Sequence, residues 1–349
     1  MLILGIDTSC DDTSCAVVAD GRVVLSNVVS SQVDLHAKYG GVVPEIASRK
    51  HLEMMAPVTY EALERAGARL SDIGGVAVTK GPGLLGSLLV GLSFGKSLAY
   101  ALGVPLAGVH HLEGHIMANF LGPHLPEFPL LNLVVSGGHS DLILMKDYGM
   151  YQILGETRDD AAGEIFDKVA RELGLPFPGG PHLDKAADRG EIEFIQFTHP
   201  KMDGATFDFS FSGMKTRALQ ALNDSRLPGG SVPPTIVQNI SASLRSAVVR
   251  DLLYNVPTLL RETHSKGLAV CGGVAANSLL RAEAARVSAR AGVPLYIPPR
   301  ELCTDNGAMI AAAGQRHLAA GNAAGLDLNA DAGLALLNRS KKGRSECPT

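Results

Sequence analysis

Two imidazoles four residues apart open the chemistry of this chain, in the segment His111-Leu112-Glu113-Gly114-His115. The segment follows a helix-forming run, and on an α-helix residues i and i+4 share a face, so His111 and His115 can ligate one metal ion. Neutral imidazole suits zinc, iron and other transition ions. A zinc-protease helix reads His-Glu-x-x-His, with the glutamate beside the first histidine as general base. Here Glu113 lies midway between the histidines, about 200° around the helix from either, and cannot share their face. Taken alone, the pair also fits two helix-end residues, one capping backbone carbonyls near a C-terminus.

Anion-binding loops are the second kind of chemistry on offer. Asp7-Thr8-Ser9-Cys10-Asp11-Asp12-Thr13 and Ser136-Gly137-Gly138-His139-Ser140 are small polar loops between apolar runs. Such loops can turn N–H groups and hydroxyls toward a phosphate, although most hairpins of this kind are only turns. A third segment, Leu268 to Asn277, reads as a buried strand ending in Gly272-Gly273 before a helix, a common way to seat a nucleotide at a helix N-terminus. Gly91 to Ser97 imitates a Walker A loop but is one residue short and follows helical rather than strand sequence. Ser87, Gly91 and Gly95 are better read as a small-residue stripe for close helix packing.

The elements that must hold these loops form a weak internal repeat. Apolar runs at 2–6, 15–18 and 22–26 flank the first loop, and runs at 131–135, 141–145 and 151–155 flank the second. Each half reads strand, polar loop, strand, turn, strand, then helices. The expected architecture is α/β and two-lobed, with duplicated β-meander-plus-helix halves around a central cleft. The expected lobes are 1–129, completed by a helix at about 306–325, and 130–305, followed by a basic tail at 338–349 expected to be disordered.

Composition bounds the setting. A chain of 349 residues exceeds one small core, and 39 glycines with no tryptophan suit an α/β enzyme. Five scattered cysteines without a Cys-x-x-Cys point to a reducing, cytoplasmic setting. The expectation is no signal peptide and no membrane span, since no run of 18 uncharged apolar residues occurs. A net charge of -4 means that nucleic-acid contact would need a local basic patch or a partner, with Arg49, Lys50 and His51 as candidates.

Together these segments resemble a known family. The two loops and the repeat are similar to the actin, sugar-kinase and Hsp70 superfamily. Within it, the chain resembles the tRNA N6-adenosine threonylcarbamoyltransferases, formerly called O-sialoglycoprotein endopeptidases. The likeness runs through Gly5 to Thr13, Tyr39 to His51, Gly81 to Leu84, His111 to His115, Val135 to His139, Phe166 to Lys168 and Gly179 to Pro181. It continues through Phe209 to Gly213, Gly272 to Asn277 and Cys303 to Gly307. Asp7 and Asp12 stand where the family more often has glutamate, and the 239–245 segment departs from its pattern.

The resemblance implies roles. His111, His115 and Asp305 would hold one divalent metal, Fe2+ first and Zn2+ second. Val135, Ser136, Gly137, Gly138 and His139 would line the substrate loop, with Asp167, Gly180, Asp184 and Asn277 completing a nucleotide pocket. The implied reaction moves a threonylcarbamoyl group from threonylcarbamoyl-AMP to N6 of the adenosine beside the anticodon, in tRNAs reading codons that begin with A. Asp11 is the candidate base for the amine proton. Implied partners are tRNA, a metal-free paralogue forming a heterodimer through the N-terminal lobe, and a small P-loop ATPase. The alternatives are a metal-dependent carbamoyltransferase on another acceptor, and a metalloprotease, which the position of Glu113 disfavours.

Overall fold

Strand sequence alternates sides, so a strand buried on both faces reads as an unbroken apolar run. Leu2–Asp7 (β1) is such a run, and its neighbours in the first sheet are Asp12–Ala19 (β2), Val23–Ser31 (β3), Ile73–Gly81 (β4) and Leu106–His110 (β5). The second sheet comprises Leu130–Val135 (β6), Ser140–Asp147 (β7), Met150–Glu156 (β8), Gly267–Cys271 (β9) and Leu295–Tyr296 (β10). Strand orders are β3-β2-β1-β4-β5 and β10-β9-β6-β7-β8. In each sheet the first three strands form an antiparallel meander, and the last two run parallel to its first strand. The repeat therefore extends beyond the meanders to all five strands. The computed structural model describes residues 1–200, 206–228 and 230–336. The tail expected at 338–349 lies outside the described residues.

Helices fill three layers around the two sheets. In chain order they are Val33–Ala37 (α1), Pro44–Ala66 (α2), Leu85–Leu102 (α3), His111–Met117 (α4), Ala162–Glu172 (α5) and Gly179–Ala187 (α6). Ser212–Asp224 (α7), Pro234–Tyr254 (α8), Val256–Glu262 (α9), Ser278–Ala291 (α10) and Gly307–Ala319 (α11) follow. One face of the first sheet sends Leu4, Ile6 and Val17 into a core with Met55 and Val58 of α2 and Leu92 of α3. Its other face sends Ile3, Ala16 and Val18 against α4 and α11, which also touch Leu130, Val134 and Cys271 of the second sheet. The far face of that sheet, with Leu131, Leu133 and Val270, is covered by α5, α7, α8 and α10. Helices α4 and α11 thus form a middle layer shared by both sheets.

Two local expectations need correction. The histidine segment does not end a helix: β5 intervenes after α3, and His111 is the first residue of α4. The third strand runs to Ser31 rather than stopping at residue 26, because β2 already starts at Asp12 and pairs with it along its length. Helix α3 is long and apolar enough, by length and composition, to cross a membrane. Its Ser87, Gly91 and Gly95 are nonetheless buried. Thr8 Oγ1 donates to Ser87 O at 2.7 Å, and Lys96 Nζ donates to Leu328 O at 2.8 Å.

The seating of α11 on β1 leaves no room for side chains. A Cβ on Gly5 would lie 2.1 Å from Gly307 O, and one on Gly307 would lie 2.6 Å from Ala16 N. Gly5→Ala must therefore lift α11 from the sheet, and should lower stability by about 1–3 kcal/mol or more, read as a lower denaturant midpoint at unchanged slope. A midpoint equal to that of the unchanged chain would contradict this packing.

Candidate metal centre and nucleotide pocket

His111 and His115 are presented by a helix whose start is fixed locally. His110 caps α4, its Nδ1 accepting from Leu112 N at 3.2 Å while Nε2 donates to Leu334 O at 3.1 Å. Burial pushes His110 down to about 4, so the ring stays neutral and Nδ1 remains an acceptor. Asp305 arrives from the turn before α11. There Asn306 is fully buried and caps the helix, Oδ1 accepting from Met309 N at 2.9 Å and Nδ2 donating to Thr304 O at 2.8 Å. Those bonds fix the backbone on both sides of Asp305.

The three side chains converge. Asp305 Oδ1 lies 3.4 Å from His111 Nε2 and 3.3 Å from His115 Nε2. One donor atom from each of the three residues lies within 4.8 Å of the others. His115 Nε2 is buried with no hydrogen bond, only the 3.3 Å approach of Asp305, which leaves its lone pair free for a cation. Two imidazoles and a carboxylate form a donor set suited to a divalent transition ion with open positions for substrate oxygens. The residues fit a metal. Without an ion, burial disfavours the protonated form of His111, but Asp305 and Asp7 more than offset this and hold it well above its ordinary value. Desolvation raises the Asp305 carboxyl, yet His111 and His115 outweigh it and hold the group well below the usual range.

Glu113 faces elsewhere, as its helical position requires. Its Oε1 accepts from Tyr151 Oη at 3.1 Å and its Oε2 from His317 Nε2 at 2.8 Å. Tyr151 belongs to β8 and His317 to α11, so the metal helix is tied to both. Burial and Glu113 raise the Tyr151 phenol well above its ordinary value, keeping it a donor. Glu113 is committed to this network and does not face the centre as a protease base.

Beside the centre lies a cavity of about 470 Å³. Gly137, Asp167, Gly180, Asp184 and Asn277 line it, together with Phe166, Gly273, Arg300 and Thr304. Thr304, which lines it, is the residue before Asp305, although none of the three metal side chains is itself part of the lining. Val135 is the buried last residue of β6 and does not line it, whereas Ser136 and His139 close the turn through Ser136 N to His139 O at 2.8 Å. Burial, with His111, His115 and His110 nearby, pushes His139 down to about 4, so it stands neutral beside the pair. Asp167 Oδ1 accepts from Gly180 N at 3.0 Å. Burial raises its pKa against that bond, with Asp11 and Glu164 adding to the rise.

Two pocket residues are more tied down than the sequence implied. Asp184 accepts from Arg245 Nη1 at 2.8 Å, Asn277 Nδ2 at 3.0 Å and Ser278 N at 3.1 Å, which uses most of its capacity on protein donors. Asn277 also caps α10, Oδ1 accepting from Leu280 N at 3.0 Å. His51 is not an exposed RNA contact: it is fully buried, donating from Nε2 to Cys10 O at 3.0 Å with Thr13 Oγ1 2.7 Å from Nδ1. Lys50 pairs with Glu53 at 2.9 Å, and Arg49 stays exposed.

Sequence reasoning passed over Ser9, His110, Arg245, Asn306 and the role of Asp12. Asn306 carried a signal, an Asn directly before a helical Gly-Ala-Met run. Asp12 carried none: its Oδ1 is buried without a partner, and burial, with Asp305, Asp11 and Asp7 outweighing a bond from Ser31, pushes it up to about 7.

Residues 23–312 match the family described as TsaD, tRNA N6-adenosine threonylcarbamoyltransferase. The chain belongs to this family. Its relative from Anaeromyxobacter dehalogenans is 51% identical over 330 residues, covering 94% of this chain and 98% of that one. The relative from Geotalea uraniireducens is 49% identical over 330 residues, covering 95% of each. Both are named tRNA N6-adenosine threonylcarbamoyltransferase. The crystal structure of T. kodakarensis HypF superposes with a TM-score of 0.59 at 16% identity, covering 91% of this chain and 47% of that one. That likeness speaks to the two-lobed actin-like fold alone.

Two measurements follow from this geometry. Glu113→Ala leaves Tyr151 Oη and His317 Nε2 unpaired inside the protein and should cost about 1–3 kcal/mol of stability in denaturant unfolding; an unchanged midpoint would contradict the network. Zinc must displace the proton held on His111, so binding should release protons and weaken as pH falls. Calorimetry in buffers of different ionisation enthalpy would reveal this, and enthalpies independent of buffer would count against it.

Proposed function

We propose that the chain transfers the threonylcarbamoyl group of threonylcarbamoyl-AMP to N6 of the adenosine beside the anticodon, in tRNAs reading codons that begin with A. The observation that carries this reading is the His111, His115 and Asp305 cluster together with a nucleotide-sized cavity of about 470 Å³ lined in part by Thr304, the neighbour of Asp305, in a chain of this family. A kinase or a scaffold of the same fold has no need of that cluster. A transferase acting on another acceptor remains the second reading.

A divalent ion held by His111, His115 and Asp305, Fe2+ first and Zn2+ second, would polarise the donor and offset charge on the departing phosphate. The chain's own residues do the rest. Asp167 and Gly180 receive the nucleoside end, with Asn277 and Asp184 forming the wall behind it. The exposed Gly137 and Gly138 offer backbone N–H groups toward the phosphate, and neutral His139 adds a polar edge without a repelling charge on the ion side. The N6 lone pair attacks the carbamoyl carbon, the carbon–oxygen bond to phosphate breaks and AMP leaves. Asp11 takes the amine proton. An exocyclic amine is a weak nucleophile, so holding it against the carbonyl supplies much of the acceleration.

The lobes divide at 129 and 305, with α11 returning to the first. The exposed face of α2 and α3 supports docking of a metal-free paralogue there. Leu52 and Tyr60 are each 68% exposed, and an apolar groove of about 470 Å³ lies between Leu52, Met55, Leu89 and Phe94. A small P-loop ATPase would complete the assembly, and a cytoplasmic location suits the tRNA substrate.

Reconstitution tests the reading. Unmodified tRNA, synthetic threonylcarbamoyl-AMP, the chain and its bacterial partners should yield threonylcarbamoyl-adenosine in digested nucleosides by mass spectrometry. His111→Ala and Asp305→Ala should reduce the yield to that of the mixture lacking the chain. Intact donor and unmodified tRNA from the complete mixture would defeat the proposal.

A further inference from the structure

Asp7 is a fully buried carboxylate outside the metal-binding trio. Its Oδ2 lies 3.4 Å from His111 Nδ1, while Asp305 Oδ1 lies 3.4 Å from Nε2 of the same ring. The two carboxylates therefore occupy opposite nitrogens of one imidazole. A ligand to an ion at Nε2 cannot at once stand beyond Nδ1 and bind that ion. Ser9 links the two acids, its Oγ lying 3.3 Å from Asp7 Oδ2 and 3.4 Å from Asp305 Oδ2, and Ser9 N donates to Asp7 Oδ1 at 3.1 Å.

We propose that Asp7 is the positioning carboxylate of the metal centre, holding the Nδ1–H side of His111 so that Nε2 is presented to the ion. Metal-bound histidines generally donate their second ring nitrogen to such an acceptor, which fixes the tautomer and the ring orientation and makes the ligand more basic. No Lys or Arg side chain pairs with Asp7 among the described residues, so the histidine and Ser9 are what compensate its burial. The position of Asp7 at the end of β1 ties this outer carboxylate to the first sheet, as α4 and the turn before α11 tie the ligands.

This inference rests on the reading of His111, His115 and Asp305 as metal ligands, and the test separates the two. The full chain, stripped of metal, would be titrated with Zn2+ and with Co2+, beside Asp7→Ala and Asp7→Asn. Asn keeps the volume and an acceptor oxygen but loses the charge. Asp7→Ala should weaken Zn2+ binding by about 10–100-fold, with Asp7→Asn toward the lower end of that range. The visible spectrum of the Co2+ form should shift in Asp7→Ala, while X-ray absorption shows an unchanged number of nearest ligands. Affinities within about twofold of the unchanged chain, with the same Co2+ spectrum, would overturn the assignment, since outer partners of this kind contribute at least tenfold. Loss of one oxygen from the nearest shell would overturn it too, by making Asp7 a ligand. Should Asp7→Ala not fold, the near-isosteric Asp7→Asn decides the matter alone. Failure of the unchanged chain to bind either ion would overturn the metal reading itself.

Discussion

The contact on which the rest depends is backbone against backbone: α11 lies on β1 at the distance that only Gly5 and Gly307 allow. Asp305 sits two residues before Gly307, so the depth of that helix sets the position of the carboxylate. The same depth lets α11 and α4 fill the layer between the sheets, where Ile3 and Ala16 of one meet Val134 and Cys271 of the other through them. A centre built from residues nearly two hundred positions apart can hold a geometry of a few ångströms because dense packing leaves its supports no slack.

Around that support the site gathers negative charge. Asp7, Asp11, Asp12 and Asp305 come from two turns that meet at one end of the first sheet, and their mutual effect is visible in the raised Asp12 carboxyl. The histidines offset only part of it. Such a concentration of buried acid is costly unless a cation is present, so the electrostatics and the donor set point the same way. The nearby cavity mixes charged with neutral groups, Asp167, Asp184 and Arg300 standing beside the backbone of Gly137, Gly180 and Gly273.

Much of this was legible in the sequence. The repeat announced two meanders because β1 and β2, like β6 and β7, are buried on both faces and read as apolar runs around a polar loop, and the His-x-x-x-His spacing announced a shared helical face. Asp305 became visible only through resemblance, since spacing alone does not connect it to His111 across the chain. Strand β5 escaped because five residues between two helical runs give too short a period to read. His51 was misjudged for a related reason: beside Arg49 and Lys50 it reads as a solvated face, but helical rotation turns it inward to hold the Cys10 carbonyl. Asp184 and Asn277 were assigned to the pocket through the resemblance, and only their partners reveal how much they are used to hold each other.

The tie from Glu113 to Tyr151 and His317 has a mechanical consequence. Proteins of two lobes commonly open and close by rocking about a hinge, and here the metal helix is bonded to a strand of the second sheet and to the helix seated on the first. Parting the lobes at β8 would strip Glu113 of a donor inside a dry layer. Sliding α11 would strip it of the other. Rigid-body opening and disturbance of the ion thus carry one shared energetic penalty, so the centre is stiffest where rocking would be easiest.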